Sequence, residues 1–383
     1  MRPLHLRKLG LVEYADGLAL QKLQAAARAA GTAPDTLFLL EHPKTITLGR
    51  GAKAGNVVWP AKELEARGYS VHETDRGGDV TYHGPGQLVG YPIFDLKPDR
   101  KDVRKFMHAV EEVMIRTARG WGIEAERVQG RVGVWVKRDE RGMEIWEKLG
   151  ATGVHFSRWI STHGFALNVR TQLDDFRAIV PCGISDAWVC SLESLLAREG
   201  KPVPTLDEVA RRAGEMAGEV WESEISEVPI ELNTISLTVI REGLHGDELL
   251  LLRRVPERGG FWQTLTGRIE AGEAPHAAAA RELFEETGFA PSLDLLQPLG
   301  YTHSFALDPA LAGVNPALPA RPIFCRETAF AIRVEPSAEP RLEPREHDAF
   351  RWAPLEDALA LLPFAGLRRG VRMAIAKLGA PQP

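Results

Sequence analysis

At 383 residues the chain exceeds what one ordinary core supports, so two domains are expected. Its 44% hydrophobic and 26% charged residues match an average globular chain and exclude a disordered or collagen-like one. A formal charge of -5 without a dense Lys/Arg run excludes the electrostatic footprint of a nucleic-acid binder, and no apolar stretch reaches the length of a bilayer span.

The start, MRPLHLRKLGLVEYADG, lacks the apolar core of a signal peptide, so a cytoplasmic protein with no membrane partner is expected. Three cysteines, Cys182, Cys190 and Cys325, form no CxxC pair, which fits free thiols in a reducing compartment.

In chain order, Gly17 to Ala30 reads as a helix ended by Gly31, and Thr36 to Leu40 as a short buried strand. Val103, Phe106, Val110, Val113 and Met114 recur at helical spacing, giving a packing helix to Arg119 with Gly120 at its end. Gly133 to Val136, Gly153 to Phe156 and Phe165 to Val169 read as strands. Thr205 and Glu208 have capping-box spacing and open a helix to about Trp221. The polar, Pro-terminated stretch from Ser223 to Pro229 reads as a linker, dividing the chain into domains 1–228 and 229–383. Beyond it, strands at Leu232 to Ile240 and Glu248 to Val255 suggest a hairpin, and Pro309 to Pro322 an irregular loop.

The first domain carries RGGDVTYHGPGQ from Arg76 to Gln87, with four glycines among groups able to hydrogen-bond. Glycines let backbone approach a ligand closely, and one tight turn needs fewer of them, so a ligand-cradling loop is favoured. Lys148 followed by ATG at Ala151 to Gly153, HGFALNV from His163 to Val169, and PCG around Cys182 come next. Singly, a lysine is a solvated surface residue and a cysteine a small buried one. Together they suggest an activated thiolate, because a neighbouring cation lowers a cysteine pKa.

In these segments and their order the chain resembles the lipoate-pathway octanoyltransferases, of the biotin and lipoate protein ligase superfamily. The resemblance implies a mixed α and β domain in which octanoyl-acyl carrier protein donates its chain to Cys182 as a thioester. A lysine of a lipoyl domain, in a 2-oxoacid dehydrogenase complex or the glycine cleavage H protein, then takes it as an amide. It implies that Lys148 lowers the Cys182 pKa and works as acid and base. Arg76, Gly77, Gly78, Asp79, Val80, Thr81, Tyr82 and His83 would line the acyl site with Ala151, Thr152, Gly153, Gly164, Phe165 and Ala166. No cofactor is expected there. The stretch KRDERGMEIWEK between Val136 and Lys148 is longer than a simple hairpin needs, which leaves Lys137 as a second candidate for the lysine.

The second domain carries GRIEAGEAPHAAAARELFEETGF from Gly267 to Phe289. Pro275 suits a first helical turn, four alanines favour helix, and Gly288 suits a left-handed end. On that helix Glu282, Glu285 and Glu286 stand at i, i+3 and i+4, so they share a face and repel unless neutralised. Hard divalent cations take carboxylate oxygens and bridge to phosphates. A bare ExxEE is usually a solvated face, but here Gly267, Glu273, Arg281 and Gly288 stand at fixed distances around it.

The segment resembles the Nudix box, G-x5-E-x7-R-E-U-x-E-E-x-G-U with U apolar, at every defined position. The resemblance implies an α/β/α sandwich and Mg²⁺ or Mn²⁺ held by Glu282, Glu285 and Glu286, with Arg281 and Glu273 orienting them beside Gly267. The flanks FWQTLTGRIEAGE and EHDAFRW resemble the branch acting on dihydroneopterin triphosphate, which implies a nucleotide or pterin pyrophosphate as substrate. They also imply a base or ligand role for Glu346. Two alternatives stand beside this reading: an ATP-dependent lipoate ligase, which needs no cysteine, and a Nudix half that senses a ligand without hydrolysing it.

Overall fold

The computed structural model describes residues 2–140, 142–180, 188–290, 292–307 and 322–379. The chain divides into two compact units, one of Met1–Tyr14 with Gln21–Pro229, the other of Ala15–Leu20 with Ile230–Pro383.

The first unit runs β1 (Arg2–Leu11), α1 (Tyr14–Ala29, apart from Ala15–Leu20), β2 (Asp35–Glu41), β3 (Thr45–Leu48), α2 (Ala61–Ala66), β4 (Ser70–Glu73), β5 (Val80–His83), β6 (Gln87–Ile93) and α3 (Val103–Arg119). It continues through β7 (Ala125–Val128), β8 (Arg131–Glu140), β9 (Met143–Ser157), β10 (Ile160–Asn168), β11 (Trp188–Val189), α4 (Leu192–Arg198), α5 (Leu206–Val220) and β12 (Ser223–Glu227). The main sheet has the order β12-β1-β2-β6-β10-β9-β8-β7, with β11 paired to β9, and a smaller sheet has the order β4-β3-β5.

The unbroken apolar run Leu37–Leu40 puts β2 inside the sheet, buried on both faces. Over the sheet lie α3, capped where Asp102 accepts the Lys105 N–H, and α5, whose Thr205–Glu208 capping box is formed. Phe106, Val110, Val113 and Met114 of α3 and Val209, Ala213 and Met216 of α5 share one core with Leu37, Leu88 and Leu167. A second core joins the small sheet to Phe176 and Ile179.

The segment expected as a linker from Ser223 is instead the edge strand β12, parallel to β1 with Ser223 opposite Arg2. An edge strand has one neighbour and tolerates the polar composition that read as a linker. The long stretch around Lys137 is the extension of both arms of the β8–β9 hairpin, which pairs Glu140 with Met143.

The second unit runs β13 (Leu232–Gly243), β14 (Gly246–Arg254), β15 (Trp262–Gln263), β16 (Leu265–Arg268), α6 (Pro275–Thr287), β17 (Gln297–Leu307), β18 (Ile323–Arg333), β19 (His347–Ala353), α7 (Leu355–Leu361) and α8 (Ala365–Leu378). Its sheet has the order β15-β14-β13-β18-β17, with β16 on β13 and β19 on β14. Alternate residues of β18 face opposite layers. Phe330 and Ile332 pack with Ala278, Ala279 and Leu283 of α6, while the Ala329 Cβ lies toward Gly370 of α8. The result is an α/β/α sandwich. The loop expected at Pro309 to Pro322 falls outside the described residues as far as position 321. Among the described residues, no helix is long and apolar enough to cross a membrane.

Candidate active sites

In the first unit a cleft is lined by Thr81, Gln87, Lys148, Gly150, Ala151, Ala166, Asn168, Phe176 and Val189. Lys148 is buried at 7% exposure on β9, cross-strand from Trp135, with Nζ 5.1 Å from the indole centroid. Lys137 is on the surface, ion-paired with Glu144 at 2.7 Å. The structure therefore separates the two candidates: Lys148 faces the cleft.

Cys182 lies outside the described residues. On one side of its segment, Val180 N–H donates to the Asn56 carbonyl at 2.8 Å. On the other, Val189 pairs with Lys148, and Cys190 N–H donates to the Lys148 carbonyl at 3.0 Å. Cys190 is fully buried, and burial followed by the nearby Glu147 pushes its thiol up, which suits a packing residue.

The glycine loop reaches the cleft at Thr81 and anchors itself elsewhere. Arg76 donates from Nε to Thr47 Oγ1 at 3.0 Å and from Nη2 to the Thr47 carbonyl at 2.7 Å. Gly77 N–H donates to the Val154 carbonyl at 3.1 Å, and Gly78 has φ +88, a left-handed conformation that glycine adopts freely. Asp79 accepts from Asn56 at 2.6 Å, and Val80 is core. Tyr82 donates to Asp175 Oδ2 at 2.6 Å, inside the second core. His83 donates through Nδ1 to Gln87 Oε1 at 2.7 Å.

From the other expected segments, Ala151 and Ala166 line the cleft, and Thr152 Oγ1 is buried without a hydrogen-bond partner among the described residues. Gly153, Gly164 and Phe165 act through close packing. A Cβ on Gly153 would stand 2.9 Å from the Gly77 carbonyl oxygen, one on Gly164 would stand 2.1 Å from the Gly90 carbonyl oxygen, and the Phe165 ring covers Gly90. Gln87, which closes RGGDVTYHGPGQ, and Asn168, next to last in HGFALNV, lie within the quoted motifs without being singled out. Phe176 and Val189 left no signal, because an apolar residue in a cleft reads as core.

Behind the loop lies a buried cluster of rings: Tyr14 is 5.0 Å from His42 and 6.0 Å from His83. His42 donates through Nδ1 to the Val12 carbonyl and accepts at Nε2 from the Tyr91 hydroxyl, each at 2.7 Å. Burial first, then neighbouring charge for His83, depresses both histidines, His42 to about 4 and His83 to about 3.

In the second unit α6 begins at Pro275 and ends on Gly288 at φ +74. Arg281 lies at the centre of a carboxylate cluster. Its Nε and Nη2 donate to the two oxygens of Glu273, each at 2.9 Å, and Nη1 donates to Glu282 at 2.8 Å and Glu285 at 3.0 Å. That fork holds Glu273 well below the usual carboxylate range, at about 2. Gly267 gives Glu282 its place, since a Cβ there would stand 1.9 Å from Glu282 Cδ.

Glu286 turns the other way. It is 3% exposed, and neither carboxylate oxygen has a hydrogen-bond partner among the described residues. Burial, then Glu282 and Glu346, pushes its pKa well above the ordinary value. Glu286, Glu346 and His347 each bring a ligand atom within 4.8 Å of the others. An orphaned buried carboxylate next to a second one is a strongly unfavourable arrangement that a divalent cation relieves, so these residues fit such an ion. Around it, Arg258 pairs with Glu346 at 2.9 Å, and Arg254 is anchored through Nε on Gln263 at 3.2 Å. His347 lies in the quoted EHDAFRW segment beside Glu346 without being singled out, and Arg254 and Arg258 carried no sequence signal, since they come from a separate strand and loop.

Residues 13–215 match the lipoyl protein ligase A/B catalytic domain, and residues 233–372 match the NUDIX domain. An octanoyltransferase of Myxococcus xanthus is 47% identical over 377 residues, covering 98% of this chain and 100% of that protein. The chain belongs to the octanoyltransferase family. It is an acyltransferase with a fused Nudix hydrolase domain. The octanoyltransferase of Acidobacterium capsulatum is 46% identical over 229 residues, covering 58% of this chain and 92% of that protein. Among solved structures, a lipoate-protein ligase A bound with ATP is 17% identical with a TM-score of 0.47, covering 60% of this chain and 90% of that one. The E. coli dihydroneopterin triphosphate pyrophosphohydrolase is 24% identical with a TM-score of 0.32, covering 38% and 95%.

Proposed function

We propose that the first unit moves an octanoyl group from octanoyl-acyl carrier protein to a lysine of a lipoyl domain through a thioester on Cys182. The observation that carries this reading is the buried Lys148 ammonium in the cleft, paired in β9 with the strand that follows the Cys182 segment. The Cys182 thiolate adds to the acyl carbon, and the carrier's C–S bond breaks as its sulfur takes a proton from Lys148. In the second step the acceptor amine adds to the same carbon and gives up a proton to Lys148, and the Cys182 C–S bond breaks. No cofactor enters either step. The donor would be carried by the acyl carrier protein and the acceptor by 2-oxoacid dehydrogenase or glycine cleavage proteins, in the cytoplasm.

The second unit, on this proposal, hydrolyses a nucleotide or pterin pyrophosphate with Mg²⁺ or Mn²⁺ held by Glu282, Glu285 and Glu286. The ion would supply charge neutralisation for the pyrophosphate and an activated water. Arg281 orients Glu273, Glu282 and Glu285, and Glu346 shares the buried site of Glu286 as base or ligand.

Incubation with octanoyl-acyl carrier protein followed by intact-mass measurement tests the transfer, with an octanoyl adduct expected on the native chain and none on Cys182→Ser. An adduct on Cys190, or transfer that needs ATP and free octanoate, would overturn it. For the second unit, dihydroneopterin triphosphate, then nucleoside triphosphates and ADP-ribose, are offered with Mg²⁺ or Mn²⁺. Tight binding without cleavage of any of them would replace hydrolysis by ligand sensing.

A further inference from the structure

Gln87 opens β6 and Asn168 closes β10, and the two are direct cross-strand partners lining the cleft that holds Lys148. Their amides are 2% and 4% exposed, so every polar atom matters energetically. Gln87 Nε2 donates to the Tyr82 carbonyl at 3.2 Å and to Asn168 Oδ1 at 3.0 Å. Both acceptors are oxygens with no hydrogen to offer, which fixes the orientation of the Gln87 amide. Its Oε1 then accepts from His83 Nδ1. Gln87 is thereby spent: both N–H groups donate and the oxygen accepts.

Asn168 is not spent. Its oxygen takes the Gln87 bond, and one Nδ2 hydrogen goes to the Cys190 carbonyl at 2.9 Å. A primary amide carries two hydrogens. Among the described residues the second has no acceptor, on a side chain that lines the cleft and is held at both of its other polar positions.

We propose that Asn168 is a catalytic residue of the acyl transfer, donating this remaining amide hydrogen to the acyl carbonyl oxygen. The inference rests on the transfer reading and deepens it. When a thiolate adds to the acyl carbon, the carbonyl π pair moves onto oxygen. When the leaving C–S bond breaks, that pair returns to form the double bond. The charge on oxygen is transient, and a donor already held in place stabilises it without reorganising. The same donor serves the second step, in which an amine adds and the Cys182 sulfur leaves. The bonds to Gln87 and to the Cys190 carbonyl keep the Asn168 amide from rotating, and the Gln87–His83 bond extends the support to β5.

The test compares two acyl-pantetheine analogues that cannot react: a ketone in which CH₂ replaces the thioester sulfur, and a hydrocarbon in which CH₂ also replaces the carbonyl. The ratio of their dissociation constants in the native protein is expected to favour the ketone by about fivefold to tenfold more than the ratio in Asn168→Ala, the scale of one hydrogen bond. Asn168→Asp, which keeps an acceptor for Gln87 and loses the donor, should also lose the ketone preference. Transfer turnover should fall by about 10²- to 10³-fold in Asn168→Ala, with KM for octanoyl-acyl carrier protein little changed. An unchanged ratio in both variants, or an equal loss of affinity for both analogues, would mean that Asn168 only supports the fold and would overturn the assignment. Failure of the transfer reading itself is separately visible, because the native chain would then form no octanoyl adduct.

Discussion

Glu286 of α6 and Glu346, the residue before β19, bring carboxylate oxygens within 4.8 Å of each other and of a His347 nitrogen. A buried carboxyl group without a hydrogen-bond partner among the described residues, set beside a second one, destabilises the metal-free protein. Glu286→Gln should therefore raise the metal-free stability of the second unit by about 1–3 kcal/mol, read by calorimetry in chelator. It should also reduce metal-dependent hydrolysis by orders of magnitude while transfer persists. Saturating Mg²⁺ at one hundred times its Kd should stabilise the native chain by about 2.7 kcal/mol and the variant by much less. Equal metal stabilisation of both proteins would contradict the role of Glu286.

Arg281 holds Glu273 through two nitrogens of one planar group while its third nitrogen serves Glu282 and Glu285. An ammonium cannot reproduce that fork. Arg281→Lys should keep the fold and weaken Mg²⁺ binding by about 10- to 100-fold, read by isothermal titration. Native affinity in the variant would show that these carboxylates need no orienting partner.

Lys148→Ala should abolish transfer and raise the pH at which Cys182 is alkylated, because the cation that favours the thiolate is gone. Lys137→Ala, which removes only the exposed pair with Glu144, should leave both readouts unchanged. A shift in the Lys137 variant and none in the Lys148 variant would reverse the assignment.

His42 and His83 have folded-state pKa values depressed to about 4 and about 3, against an ordinary value of 6.5. The unfolded chain therefore binds two protons that the native chain refuses, and stability rises with pH across that interval. This contribution is fully present above about pH 6.5 and is lost as pH falls through the folded values. The slope approaches about 2.7 kcal/mol per pH unit where both sites differ fully. Urea melts at pH 7.5, 6 and 5 should show the decline, and His42→Gln should roughly halve it. A stability independent of pH over this range would show that the cluster admits protons while folded.

Local order carried much of what the sequence determined. The periodicity of α3, the Thr205–Glu208 capping box and the proline, alanine and glycine pattern of α6 act within a few residues, so each element appears where its spacing placed it. The placement of Glu282, Glu285 and Glu286 on one helix was legible for the same reason. Tertiary structure decided what each carboxylate meets. Glu285 and Glu286 are neighbours in the chain that point to different sides of the helix: Glu285 is at the surface on Arg281, and Glu286 is buried beside two residues that arrive from another part of the chain. It put Lys148 in the cleft and Lys137 at the surface through the β8–β9 register, which puts Trp135 opposite Lys148. It made Ser223–Glu227 a strand, because β1 offers a free edge that composition cannot show. It also joined Gln87 to Asn168, since hydrogen bonds between strands distant in sequence depend on sheet order and register, which no local pattern encodes.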